Sequence, residues 1–103
     1  MRRIAPQWLK PPEMKWMDCV VEGILEPDGY AVQIRVNGHE VAAVVPRDTV
    51  DVVRELPSNG RIQVRVLARL EAGQFLAELP SPPVNGTQRI SVEGQRLTAN
   101  ASI

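Results

Sequence analysis

From Tyr30 to Pro46 the chain reads YAVQIRVNGHEVAAVVP, with apolar and polar residues alternating on both sides of an Asn-Gly pair. A period of two places Tyr30, Val32, Ile34 and Val36 on one face of an extended segment and Ala31, Gln33 and Arg35 on the other. Asn37-Gly38 is the dipeptide that a type I′ turn prefers, because both central residues need positive φ. A two-residue loop then sets the register. Val36 faces His39, Arg35 faces Glu40, Ile34 faces Val41, Gln33 faces Ala42, Val32 faces Ala43 and Tyr30 faces Val45. One face is almost wholly apolar, and the other carries an Arg35–Glu40 pair of opposite charge. A lone hairpin is marginal in water, so this one needs further strands to cover it.

The same period marks three of them. Met17–Glu26 reads as a first strand with Met17, Cys19, Val21 and Leu25 on one face, and Gly23 inside it predicts a bulge or sharp bend. Pro27-Asp28-Gly29 is a strong turn into the hairpin. RIQVRVLARL, residues 61–70, is a fourth strand, with Ile62, Val64, Val66, Ala68 and Leu70 on one face and Arg61, Gln63, Arg65, Leu67 and Arg69 on the other. Glu71-Ala72-Gly73-Gln74 turns the chain into a fifth strand carrying Phe75, Ala77 and Leu79, which Pro80-Ser81-Pro82-Pro83 stops. Between the third and fourth strands, RDTVDVVREL changes character. Asp48 can cap a short helix in which Val50, Val53 and Leu56 fall at helical spacing before Pro57 ends it, although so many β-branched residues also suit a strand or turn.

The ends differ from the middle. Residues 1–16 hold Arg2, Arg3, Lys10 and Lys15 against Glu13 alone, with three prolines, Trp8 and Trp16, and predict an extended basic arm. Residues 17–80 form the barrel domain. Residues 81–103 read as a proline-rich linker and a small hairpin about Glu93-Gly94, pairing Ile90 with Leu97, followed by a tail.

Composition narrows the function classes. At 103 residues the chain is one domain, with 12 basic and 12 acidic side chains, so no global charge draws it to nucleic acid or membrane. A single cysteine excludes an intrachain disulfide, and with no signal-peptide pattern and no apolar run of membrane-spanning length a cytoplasmic location is expected. Asn85-Gly86-Thr87 and Asn100-Ala101-Ser102 match the glycosylation pattern, which without export is chance. One histidine and one cysteine cannot build a zinc site, and no phosphate loop, nucleophile elbow or catalytic triad can be assembled. The expectation is a non-enzyme without metal or cofactor.

Five strands with a short helix between the third and fourth make the element order of an OB-fold, a five-stranded Greek-key barrel, with an SH3-like barrel as the alternative. Glu22-Gly23-Ile24-Leu25-Glu26, Tyr30-Ala31-Val32, Asn37-Gly38-His39-Glu40-Val41-Ala42-Ala43 and Gly60-Arg61-Ile62-Gln63-Val64-Arg65-Val66 resemble the single-barrel initiation factors of bacterial translation. They also resemble the related RNA-binding barrel repeated in a large ribosomal protein. The resemblance covers about residues 20–79 and implies an RNA-binding OB-fold without catalysis. The chain departs from it in one place: the loop after strand three carries Asp48, Asp51 and Glu55 where those proteins tend to be basic.

Two functions follow as expectations. One is binding of single-stranded RNA or DNA, with Arg61, Arg65 and Arg69 tracking phosphates, Arg35 assisting, and Trp8 and Trp16 stacking on bases. The bland alternative for the arginines is a solvated strand face paired with Glu71 and Glu78, and for the tryptophans a plug at the barrel end. The other function is a protein-interaction or self-association module with no nucleic-acid role. The outward positions of strands two and three, Ala31, Gln33, Arg35, Glu40 and Ala42, include no aromatic, which counts against base stacking there. Tyr30, Phe75 and Cys19 read as core, His39 as a turn residue, and Asp48 and Asp51 as cap and solvated surface.

Overall fold

The computed structural model describes residues 5–25, 27–52 and 55–99. Within them the chain is all-β. The strands are β1 (Gln7–Leu25), β2 (Gly29–Val36), β3 (His39–Pro46), β4 (Val50–Asp51), β5 (Ser58–Arg69), β6 (Gln74–Glu78), β7 (Arg89–Glu93) and β8 (Leu97–Ala99). They form one antiparallel sheet in the order β3-β2-β1-β5-β6-β7, with β4 beside β5 and β8 beside β1. Because β8 returns to β1 at Lys15–Met17, the sheet curls back on its own first strand as a half-barrel. No helix among the described residues is long and apolar enough to cross a membrane.

The hairpin has the register that its alternation predicts, from Val36↔His39 through Tyr30↔Val45, with Asn37 at φ 49° and Gly38 at φ 81°. Its apolar face, with Met17, Cys19 and Val21 of β1 and Ile62 and Val64 of β5, forms the core. Ile90 and Val92 of β7 close it from the far side, and Tyr30, Val50, Val52, Leu56 and Leu97 pack around its margin.

The fold departs from expectation in several places. First, the helix after β3 is absent among the described residues. Arg47–Thr49 makes a single 3-10 turn, with the Thr49 hydroxyl donating to the Pro46 carbonyl at 2.6 Å, and Val50–Asp51 then pairs with Ile62 and Arg61 as a strand. Asp48 makes no side-chain cap bond, and the β-branched run takes the extended state instead. Residues 53 and 54 of the expected helix lie outside the described residues. Second, the sheet holds eight strands among the described residues where a five-stranded barrel is expected, because β4 forms in place of the helix and the two strands expected as a separate C-terminal hairpin, β7 and β8, join the same sheet. Third, Ile90 does not pair with Leu97. A 3-10 turn at Gly94–Arg96 redirects the chain, so Ile90 pairs with Ala77 of β6 and Leu97 with Met17 of β1. Fourth, Leu25 does not share a face with Met17. The β1–β2 register skips between Val21 and Gly23, and the extra residue reverses the alternation so that Leu25 faces solvent.

Of residues 1–16, expected as an arm, 1–4 lie outside the described residues, while 7–16 continue β1 and pair with β5 from Gln7↔Arg69 to Trp16↔Gln63. Pairing lapses between Trp8 and Glu13. Pro11 and Pro12 lie in that gap, and proline has no N–H to give a ladder. Opposite the gap, the β5–β6 register skips between Val66 and Ala68. Leu67 is therefore a bulge residue, and it is buried rather than solvated.

Candidate interaction surface

The bulge at Leu67 divides the arginine row. Arg65 pairs across the sheet with Glu78, which pairs with Arg89, and these three share the outer face. Arg69 pairs with Phe75, which pairs with the core residue Val92, and so it belongs to the inner face at the barrel mouth. Its guanidinium lies 5.7 Å from the Phe75 ring centroid. Arg61 and Arg65 thus share a face that Arg69 does not. One inserted residue in a period-two pattern is enough to do this.

The two outer arginines have partners. Arg61 forms an ion pair with Asp51, and its guanidinium stands 5.2 Å from the Trp16 ring centroid. Arg65 lies 4.0 Å from Glu78, which also holds Arg89 at 3.3 Å. Arg35 meets Glu40 at 3.9 Å, as the hairpin register requires. Arg96 reaches Asp18 at 3.3 Å and donates to the Arg35 carbonyl. Such exposed pairs contribute little stability, roughly 0–1 kcal/mol. Their consequence is for the surface potential, because each cation that would track a phosphate already faces an acid or a ring.

Neither tryptophan plugs the barrel. Trp16 is half-buried and sits opposite Gln63 on the outer face, while Trp8 is 53 % exposed opposite Ala68. The aromatic that does line the barrel mouth is Phe75, in a small cavity of about 110 Å³ with Val66, Arg69, Lys15 and Leu97.

The outward positions of β2 and β3 belong to a wider outer face that β1 extends, and its exposed apolar members Val20, Leu25 and Val44 were not among the site residues singled out from the sequence. Its rows follow from the registers: Val20–Gln33–Ala42, then Gly23–Ala31–Val44, then Leu25–Gly29–Pro46. Val20, Leu25 and Val44 are all exposed. Val44 covers Gly29, where an added Cβ would stand 3.0 Å from the Val44 Cγ1. At one end of this apolar field lies a depression of about 330 Å³ lined by Asp18, Gln33, Arg35, Glu40 and Asn59. Alternation along Ala42, Val44 and Pro46 carried the signal. It is faint, since alanine and proline do not register as strongly apolar and Leu25 joins only through the bulge.

Chemistry elsewhere is quiet. Among the described residues no group of three or more His, Cys, Asp and Glu side chains stands close enough to hold a metal ion. His39 is exposed at the turn. Cys19 is buried, and desolvation, with a smaller contribution from the Asp18 charge, pushes its thiol from an ordinary 9.0 up to about 12. A neutral thiol is a poor nucleophile, so Cys19 should resist alkylation at pH 8 until the chain unfolds. The linkage has a definite sign. Below the ordinary value the thiol is protonated in both states and adds no pH dependence. Above it the unfolded chain releases a proton that the fold retains, so stability falls as pH rises from 9.0 toward about 12. Denaturation midpoints across that window should show the decline, and Cys19→Ala should remove this contribution.

No protein-family model, curated protein or solved structure matches the chain.

Proposed function

We propose that the protein is a non-catalytic assembly module, which presents the outer face of β1–β2–β3 to another protein chain, a second copy included. One observation carries this reading. Arg35, Arg61 and Arg65 are each engaged by an acid, whereas Val20, Leu25 and Val44 stand exposed on one sheet face. Exposed apolar side chains scattered singly are ordinary, but a contiguous patch marks an interaction surface. β1 pairs with β2 along one edge and with β5 along the other, which supports an OB-like relation for the half-barrel.

Light scattering over a concentration series tests the reading. Self-association that weakens on Leu25→Lys is the expected outcome, with the circular dichroism spectrum unchanged.

Single-stranded nucleic acid is the second reading, favoured by the Trp16 ring beside Arg61 on the outer face. It requires phosphates to displace Asp51 and Glu78 from Arg61 and Arg65. Fluorescence anisotropy with mixed-sequence single-stranded RNA at low salt separates the two. The assembly reading expects no binding that Arg61→Glu with Arg65→Glu alters. Binding that is lost on those reversals, with a salt slope of roughly −0.7 per phosphate contact, would move the assignment to nucleic acid.

A further inference from the structure

The outer edge of β3 is covered by a strap rather than by a strand. In a two-residue hairpin the residues at alternate positions of β3, Glu40, Ala42 and Val44, turn their backbone groups away from β2. Val84 donates its N–H to the Ala42 carbonyl at 2.7 Å. The Asn85 side chain imitates a second strand residue: its Oδ1 accepts from the Ala42 N–H at 2.9 Å, and its Nδ2 donates to the Glu40 carbonyl at 3.0 Å. The strap follows Pro82 and Pro83, belongs to no regular element, and leaves the Val84 side chain 79 % exposed.

We propose that this edge is the surface through which two copies of the chain pair, and that Val84–Asn85 covers it in the single chain. The inference rests on the assembly reading and specifies its partner and geometry. An antiparallel pairing of two β3 edges about a two-fold axis at Ala42 is self-complementary. Ala42 then faces Ala42 of the other copy, and Glu40 faces Val44, so no like charges meet. Each of those facing pairs exchanges two backbone bonds. The pairing therefore replaces, across both copies, as many hydrogen bonds as the two straps give up. With the bond count balanced, small changes in the strap decide the outcome. Pro46, which has no N–H, ends the usable edge. The paired sheet would also bring the two exposed apolar fields side by side.

The test removes the strap's side-chain bonds with Asn85→Ala and follows mass by sedimentation across concentration. A dimer forming at a concentration at least about thirtyfold lower than in the unsubstituted protein is expected, from the loss of two competing hydrogen bonds in each copy. In that background Val44→Glu, which sets a carboxylate against Glu40 of the other copy, should restore the monomer. Adding Glu40→Lys to Val44→Glu should bring the dimer back. An Asn85→Ala protein that stays monomeric overturns the proposal. So does a dimer indifferent to Val44→Glu, although Leu25-dependent association would then leave the assembly reading standing. If Asn85→Ala does not fold, amide exchange in the unsubstituted chain decides. The Val84 amide should lose protection as concentration rises while the Glu40 and Val44 amides gain it, and exchange rates that do not vary with concentration overturn the proposal.

Discussion

Replacement of Ile62 by alanine should lower unfolding free energy by about 2–5 kcal/mol, a large share of the roughly 5–15 kcal/mol typical of a small domain. Ile62 is fully buried at the centre of the core, with Met17 opposite it on β1 and Val50 opposite it on β4. All three strands are held in register by the sheet, so the site can collapse little around a lost side chain, and most of the cavity cost remains. Urea denaturation should show a lower midpoint with an unchanged slope, because the surface exposed on unfolding barely changes. Leu25→Ala is the control. That side chain is 47 % exposed, and its truncation should move stability by no more than about 0.5 kcal/mol. Equal losses at the two positions would mean that the described core is not the one that stabilises the fold.

Gly60→Ala is expected to cost about 1–3 kcal/mol despite adding only one carbon. A Cβ at Gly60 would stand 2.9 Å from the Asp51 carbonyl oxygen, 2.9 Å from the Val21 Cγ2 and 3.3 Å from the Val52 Cβ. Two of these atoms can move only with the backbone that carries them, because one is a carbonyl oxygen and the other is the Cβ of a β-branched residue. Gly60 lies where the end of β4 and Val21 of β1 both approach β5, and the missing side chain is what leaves room for them. Gly23→Ala supplies the comparison, since nothing lies within 4 Å of the Cβ position there. If Gly60→Ala proves neutral by thermal or urea denaturation, the convergence of β4 with β1 is looser than described.

Some of this architecture is legible in local pattern. The β2–β3 hairpin shows its register because turn chemistry and alternation act within a few residues and agree. The β5–β6 loop is legible for the same reason, with Ala72 and Gly73 both at positive φ. The tail is less so. Arg89–Glu93 and Leu97–Ala99 read as two arms of one hairpin, yet their hydrogen bonds go to β6 and β1, partners distant in sequence. The helix expected after β3 shows the converse weakness. Val50 and Leu56 sit at helical spacing, but both pack on the core margin from non-helical backbone, because β5 offers Val50 and Asp51 a ladder to join.

The candidate site divides in the same way. Arg35–Glu40 follows from the turn alone, whereas the Arg61–Asp51 pair exists only because β4 docks on β5. The separation of Arg69 from Arg65 rests on one bulge that no composition or period announces.

By itself, then, the order of residues determined the extended character of the chain, the central hairpin and the apolar set that fills the interior, since those depend on neighbours a few bonds away. Only the folded sheet decided which strand each late segment would join, where the bulges reverse a face, and that Asn85 would lie along β3. Those outcomes depend on backbone groups far apart in the chain competing for the same unpaired N–H and C=O groups, and that competition is settled by the assembled geometry.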